Sequence, residues 1–191
     1  MALIDVPARE IHAKIVFFGP ELSGKTTSLS AIAAGIPPDA RGEFRAIAAE
    51  SARTIFSDSL SIDLGEHLGF HLRCHLYTVP GQARSSGPRA AVLHGADGVV
   101  FVADATPLRM AENMNALAEL RQMLERQHKP LADIPLVLEC NKSDLPDATP
   151  PAALAASLDL SGRPAVRAVA INGEGVFDAL RAITKLVAAN L

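Results

Sequence analysis

Residues 19 to 26 read Gly19-Pro20-Glu21-Leu22-Ser23-Gly24-Lys25-Thr26, which places two glycines, a lysine and a hydroxyl at the spacing G-x-x-x-x-G-K-[ST]. These residue types at this spacing suit a ligand that carries several phosphates. The glycines let backbone N–H groups turn inward onto phosphate oxygens, and Gly24 lets the chain pass close to the anion. Lys25 brings a point charge to the terminal phosphates. The Thr26 hydroxyl can hold Mg2+, and Thr27 after it belongs to the nucleotide-binding stretch.

Far along the chain, Asn141-Lys142-Ser143-Asp144 offers a complementary chemistry. A carboxylate such as Asp144 can accept from the N1–H and the exocyclic amine of guanine together. Adenine has no such donor pair and would leave the carboxylate unpaired. Lys142 can lay its stem over the base, and Asn141 can tie loops together. The two clusters together predict a site for GTP or GDP with Mg2+.

The elements that must position these residues are legible in the hydrophobic pattern. Lys14-Ile15-Val16-Phe17-Phe18 reads as a buried strand entering the first cluster, and residues 26 to 33 read as the helix leaving it. Gly35 to Asp39 breaks the pattern, and residues 39 to 58 carry weak periodicity. Residues 60–64 and 70–78 alternate with period two, punctuated by Gly65 and Gly69, which predicts a hairpin with one face inward. Histidines 67, 71 and 75 are expected on its outer face rather than around a metal. Residues 98–104, 136–140 and 165–170 read as further strands. A helix is expected from Pro107 to about His128, with Met110, Met114, Leu117 and Leu124 inward. A short helix follows Pro150-Pro151, and a last one turns Val176, Leu180, Ile183 and Val187 inward. The predicted fold is α/β: a three-layer sandwich with a mostly parallel six-stranded sheet, one antiparallel edge strand and helices on both faces, in one domain spanning residues 1–191.

Bulk properties restrict the function classes. With 49% hydrophobic residues, a chain of 191 residues can bury a sizeable core. A net charge of −3 gives no basic footprint for nucleic acid. Cys74 and Cys140 lie in apolar runs and are expected as buried thiols. The expectation is a cytoplasmic monomer. The start lacks a charged region followed by a long apolar stretch, position 2 is Ala, and no prenylation cysteine or membrane-length run appears.

The loop at 19–26, the string Thr78-Val79-Pro80-Gly81-Gln82 and Asn141-Lys142-Ser143-Asp144 together resemble the Ras-like small GTPases, and within them the MglA group from bacterial gliding motility. Arg53-Thr54-Ile55-Phe56, the run 98–104 and Gly175-Val176-Phe177-Asp178 extend the resemblance over almost the whole chain. The resemblance implies a role for each matched residue. Thr54 would reach Mg2+ and the γ-phosphate, and the Gly81 amide would sense that phosphate. Gln82 would orient the attacking water. Arg53 would neutralise transition-state charge, joining Lys25. Val169, Ala170 and Ile171 would form the last guanine loop, where a backbone N–H meets the base oxygen. A Roadblock/LC7-type activating protein, MglB-like, is the implied partner, beside effectors not identified by sequence.

Two residues depart from that pattern. Thr78 stands where many small GTPases carry an aspartate that helps hold Mg2+, and brings no charge. Glu21 fills the third loop position, usually Gly in Ras-like and MglA proteins and an acid in Arf-like ones. A carboxylate there crowds Gln82 and Arg53 and repels a polyanion, so weak intrinsic hydrolysis is expected. Ala83 to Pro88 is small, polar and poor in helix formers. A second reading is therefore a nucleotide-bound effector-binding module with negligible turnover. A kinase or adenine-specific ATPase shares the phosphate loop but not Lys142 with Asp144.

Overall fold

The longest apolar runs become the middle of the sheet, because a strand covered on both faces has no polar side to present. The computed structural model describes residues 2–47, 57–67, 69–80 and 86–191. Within these, the strands are β1 (Leu3–Asp5), β2 (Glu10–Phe18), β3 (Arg45–Ile47), β4 (Ser57–His67), β5 (Phe70–Thr78), β6 (Gly98–Asp104), β7 (Leu136–Asn141) and β8 (Ala165–Arg167). They form one sheet in the order β3-β4-β5-β2-β6-β7-β8, with β1 pairing antiparallel to the start of β2. The run from β5 through β2, β6 and β7 to β8 is parallel, and β4 and β3 add antiparallel pairs at one edge.

All six expected strands are present. The two further ones, β1 and β3, are each three residues long, too short to leave a periodicity. Gly65, expected in the hairpin connection, lies inside β4, where the register shifts between Asp63 and Glu66 and lets the strand run on to His67. His71 and His75 take the outer face of β5, and His75 Nδ1 meets Ser61 Oγ at 2.8 Å. The His67 side chain lies outside the described residues.

Helices α1 (Lys25–Gly35) and α5 (Val176–Ala188) cover one face, and α2 (Ser86–Leu93), α3 (Met110–Glu125) and α4 (Pro151–Ser157) the other. Alternate residues of β2 feed opposite cores: Ile15 and Phe17 pack with Leu29 and Ile183, while Val16 and Phe18 pack with Leu93 and Leu120. The inner face of α5 is as expected, with Ala179 added. Cys74 and Cys140 are free and buried, and burial pushes both thiols up to about 12.

Two helix expectations are corrected. Met114 is 52% exposed, because the inward stripe of α3 runs through Asn113, Ala116, Leu117, Leu120, Met123 and Leu124. Asn113 can take a core position because its side chain bonds both the N–H and the carbonyl of Asp104 at the end of β6. The stretch expected to be poor in helix does start one at Ser86, with Pro88 in the first turn, where its missing N–H has no intrahelical partner to lose.

Candidate functional site

β2 delivers the chain into the 19–24 loop at the carboxyl ends of the parallel strands, where open α/β sheets leave a crevice. Two glycines make the loop possible. Gly19 has φ 152° and a Cβ there would lie 2.2 Å from the Val102 carbonyl. Gly24 has φ 105° and a Cβ there would lie 2.1 Å from Asn141 Nδ2. Gly24 caps α1 without any side-chain hydrogen bond, so the first-turn amides keep their donors and the positive end of the helix for an anion. Lys25 is buried and donates to the Gly19 carbonyl at 3.2 Å and the Pro20 carbonyl at 2.5 Å. Burial, and then the Arg89 charge, lower its pKa to about 8 against the pull of Glu21. Glu21, Leu22, Thr26 and Thr27 are exposed, and Ser23 is buried.

Asn141 joins the two expected clusters. Its Nδ2 donates to the Ser23 carbonyl at 2.7 Å, across 118 residues of sequence, and its Oδ1 accepts from the Ala170 N–H at 2.9 Å. That second bond ties Asn141 to the amide of Ala170, in the stretch expected to form the last guanine loop. Val169 and Ala170 are buried, and Ile171 is 88% exposed. Lys142 has φ 63° and donates to Asp104 Oδ2 at 2.6 Å. Burial alone would raise the Asp104 carboxyl; bonds from Lys142 and Thr106 outweigh it and hold the group below the usual carboxylate range. Asp144 is exposed beside them.

The hydroxyl end of the loop contains a residue that sequence reasoning missed. Thr26 Oγ1 donates to Asp58 Oδ2 at 2.6 Å, Thr78 Oγ1 donates to the same oxygen at 3.1 Å, and the Asp58 N–H donates to Thr78 Oγ1 at 2.9 Å. Asp58 is on β4, directly across the ladder from Thr78 if the Ser59–Tyr77 register is continued. A carboxylate and a hydroxyl oxygen in contact form a hard-oxygen donor set of the kind Mg2+ takes. The signal was available: the missing charge at Thr78 could be sought on the neighbouring strand once the hairpin register was known. Arg53, Thr54, Gly81 and Gln82 lie outside the described residues.

Comparison with known proteins agrees with this geometry. Residues 70–187 match the model of the ADP-ribosylation factor (Arf) family. The chain is 44% identical to "Mutual gliding-motility protein MglA" of Myxococcus xanthus (strain DK1622), over all 191 residues of this chain and 98% of that protein. The family match over residues 70–187 and the identity along the whole chain make this chain a member of the Arf family of Ras-like small GTPases, proteins that bind guanine nucleotides and hydrolyse GTP to GDP.

Proposed function

We propose that the chain is one G domain acting as a GTP/GDP switch in the cytoplasm, with slow intrinsic hydrolysis and a role in cell polarity or motility. The observation that carries this reading is the Asn141 side chain, which binds the phosphate loop and the 169–171 loop together and so places a polyphosphate grip beside a guanine-selective turn. The name of the Myxococcus xanthus relative supports gliding motility as the process.

The residues divide the work along the crevice. Gly19 to Thr27 wrap the phosphates with amides, and Lys25 neutralises the β- and γ-oxygens. Asp144 accepts from the guanine edge while Lys142, held by Asp104, lies under the base. Thr26 and Asp58 are the described residues that fit Mg2+, with Thr54 proposed to join them in the triphosphate state. The bound ion supplies charge neutralisation at the β- and γ-phosphate oxygens. Gln82 orients water for attack on the γ-phosphorus, and Arg53 offsets the charge that develops. Gly81 senses the γ-phosphate, so binding and hydrolysis order and release the surfaces that partners read. A Roadblock/LC7-type protein is the proposed activator of a monomeric GTPase. Among the described residues no helix is long and apolar enough to cross a membrane.

Isothermal calorimetry with GDP, GTP and ATP, each with Mg2+, tests the reading. Guanine nucleotides are expected to bind and ATP not to. Equal uptake of ATP, or no uptake of either guanine nucleotide, would overturn it.

A further inference from the structure

A loop that turns its amides in toward an anion turns its carbonyls out, and buried carbonyls need donors. In this loop three consecutive carbonyls meet cationic side chains. Lys25, from the loop's own helix, serves Gly19 and Pro20. The other two donors come from neighbouring elements. Arg89 on α2 donates from Nη2 to the Gly19 carbonyl at 3.0 Å, with its guanidinium 4.5 Å from the Phe18 ring centre. Arg109, just ahead of α3, donates from Nη2 to the Glu21 carbonyl at 2.8 Å.

Both arginines are anchored on the same helix. Arg89 Nη1 pairs with Glu119 at 2.5 Å, and Arg109 Nη1 pairs with Glu112 at 3.0 Å. Glu112 and Glu119 are two turns apart on α3 and share a face of it. Arg89 is 9% exposed, and its Nε is buried with no hydrogen-bond partner. A buried guanidinium with an orphan N–H is costly, and a methionine or leucine would fill the same space without that cost, so the arrangement calls for a reason other than packing.

We propose that Arg89 and Arg109 are positioning residues: an α3-anchored clamp that holds both shoulders of the phosphate loop open for the phosphates, with Arg89 carrying the position of α2 into the loop. The inference rests on the reading of this crevice as the guanine-nucleotide site. Neither side chain needs to touch the nucleotide. With Arg89 gone, Lys25 is the one remaining described donor to the Gly19 carbonyl, which draws its ammonium back onto the loop and away from the phosphates. A partner that shifts α2 would loosen or tighten the loop through this contact.

The test uses the full chain and a fluorescent GDP analogue, N-methylanthraniloyl-GDP, chased with excess GDP in Mg2+. The set is the parent, Arg89→Gln, Arg109→Gln, Arg109→Lys, Glu119→Gln and the Arg89→Gln/Glu119→Gln double variant, each also melted without nucleotide. Release is expected to be about tenfold faster for Arg89→Gln and severalfold faster for Arg109→Gln, the size of a lost hydrogen bond from a charged donor. Arg109→Lys should recover part of the loss, since it keeps the charge but not the fork. The double variant should release no faster than Arg89→Gln alone, because the two changes break one path. Arg109 is half-buried, paired with Glu112 and 3.9 Å from Asp104, so each variant's melting temperature is read beside its release rate; a changed release rate at an unchanged melting temperature separates loop positioning from folding. Parent-like release in Arg109→Gln together with Arg89→Gln, or with Glu119→Gln should Arg89→Gln not fold, would overturn the clamp. A parent that takes up no GDP analogue would instead overturn the nucleotide site itself, and the clamp with it.

Discussion

Asp58 Oδ2 lies 3.1 Å from Thr78 Oγ1, so the end of β5 that lacks a carboxylate is served by one from β4. The same oxygen reaches Thr26 at 2.6 Å, which puts a full negative charge on the hydroxyl end of the phosphate loop despite the threonine at position 78. Asp58→Asn should raise the Mg2+ concentration needed to slow GDP release by about tenfold or more, because the site loses its described charge. Thr78→Asp should instead tighten the site, by adding a second carboxylate whose repulsion from Asp58 the cation relieves, and the exchange Asp58→Thr/Thr78→Asp should recover much of the loss seen in Asp58→Asn. A Mg2+ titration of GDP release reads all three. Unchanged Mg2+ dependence in Asp58→Asn would remove the assignment.

Glu21 presents its side chain to solvent at the mouth of the loop while Arg109 holds its carbonyl. On the proposed reading, its carboxylate adds negative charge beside the γ-phosphate. Glu21→Gly should speed single-turnover GTP hydrolysis, by up to about a hundredfold if one transition-state donor is now misplaced. Glu21→Gln should give an intermediate rate, since it removes the charge but keeps the bulk. An equal or slower rate in the glycine variant would mean that slow turnover, if observed, has another cause.

Asp144 is exposed at the base end, beside a Lys142 that is held by Asp104. Replacing its two acceptors with one acceptor and one donor should invert the preference for the purine edge. Asp144→Asn is expected to lose at least about a hundredfold in GDP affinity and to gain for xanthosine diphosphate. Competition binding with the two diphosphates measures the ratio, and retained guanine preference would count against the role given to this residue.

Glu139 lies on β7 two residues before Asn141, is fully buried, and accepts from Ser28 Oγ at 2.5 Å with its other oxygen unpartnered. Burial raises its pKa from 4.5 to about 7, with the Ser28 bond pulling the other way. The folded state therefore prefers the protonated acid. Its stability should be fullest below about pH 4.5 for this group, fall as pH rises toward 7, and level off above that at a loss of about 3 kcal/mol. Glu139→Gln keeps the shape and removes the proton, so it should be more stable than the parent at pH 9 and close to it at pH 5. Urea unfolding at the two pH values reads the difference; a parent whose stability is flat from pH 5 to 9 would show that folding does not raise this carboxyl above its ordinary range.

What the sequence determined by itself was chemistry carried by contiguous residues. Gly19 to Thr26 and Asn141 to Asp144 are each a short contiguous stretch, so residue type and spacing alone lead to the expectation of a phosphate grip and a guanine-selective turn. The β2, β6 and β7 runs were equally legible, since a strand buried on both faces must be apolar throughout. Contacts between elements were not legible. The Asp58–Thr26 bond depends on the β4–β5 register and on where α1 begins, and neither leaves a mark in local composition. Met114 was misassigned because Asn113, a polar residue, takes the inward place by bonding the backbone of β6, an exchange no periodicity can show. Arg89, Arg109 and their carboxylates on α3 sit in separate segments and look like ordinary charged surface residues until the fold brings them onto the carbonyls of one loop. A side chain's neighbours across the sheet are set by how the layers pack, and packing is a property of the whole chain.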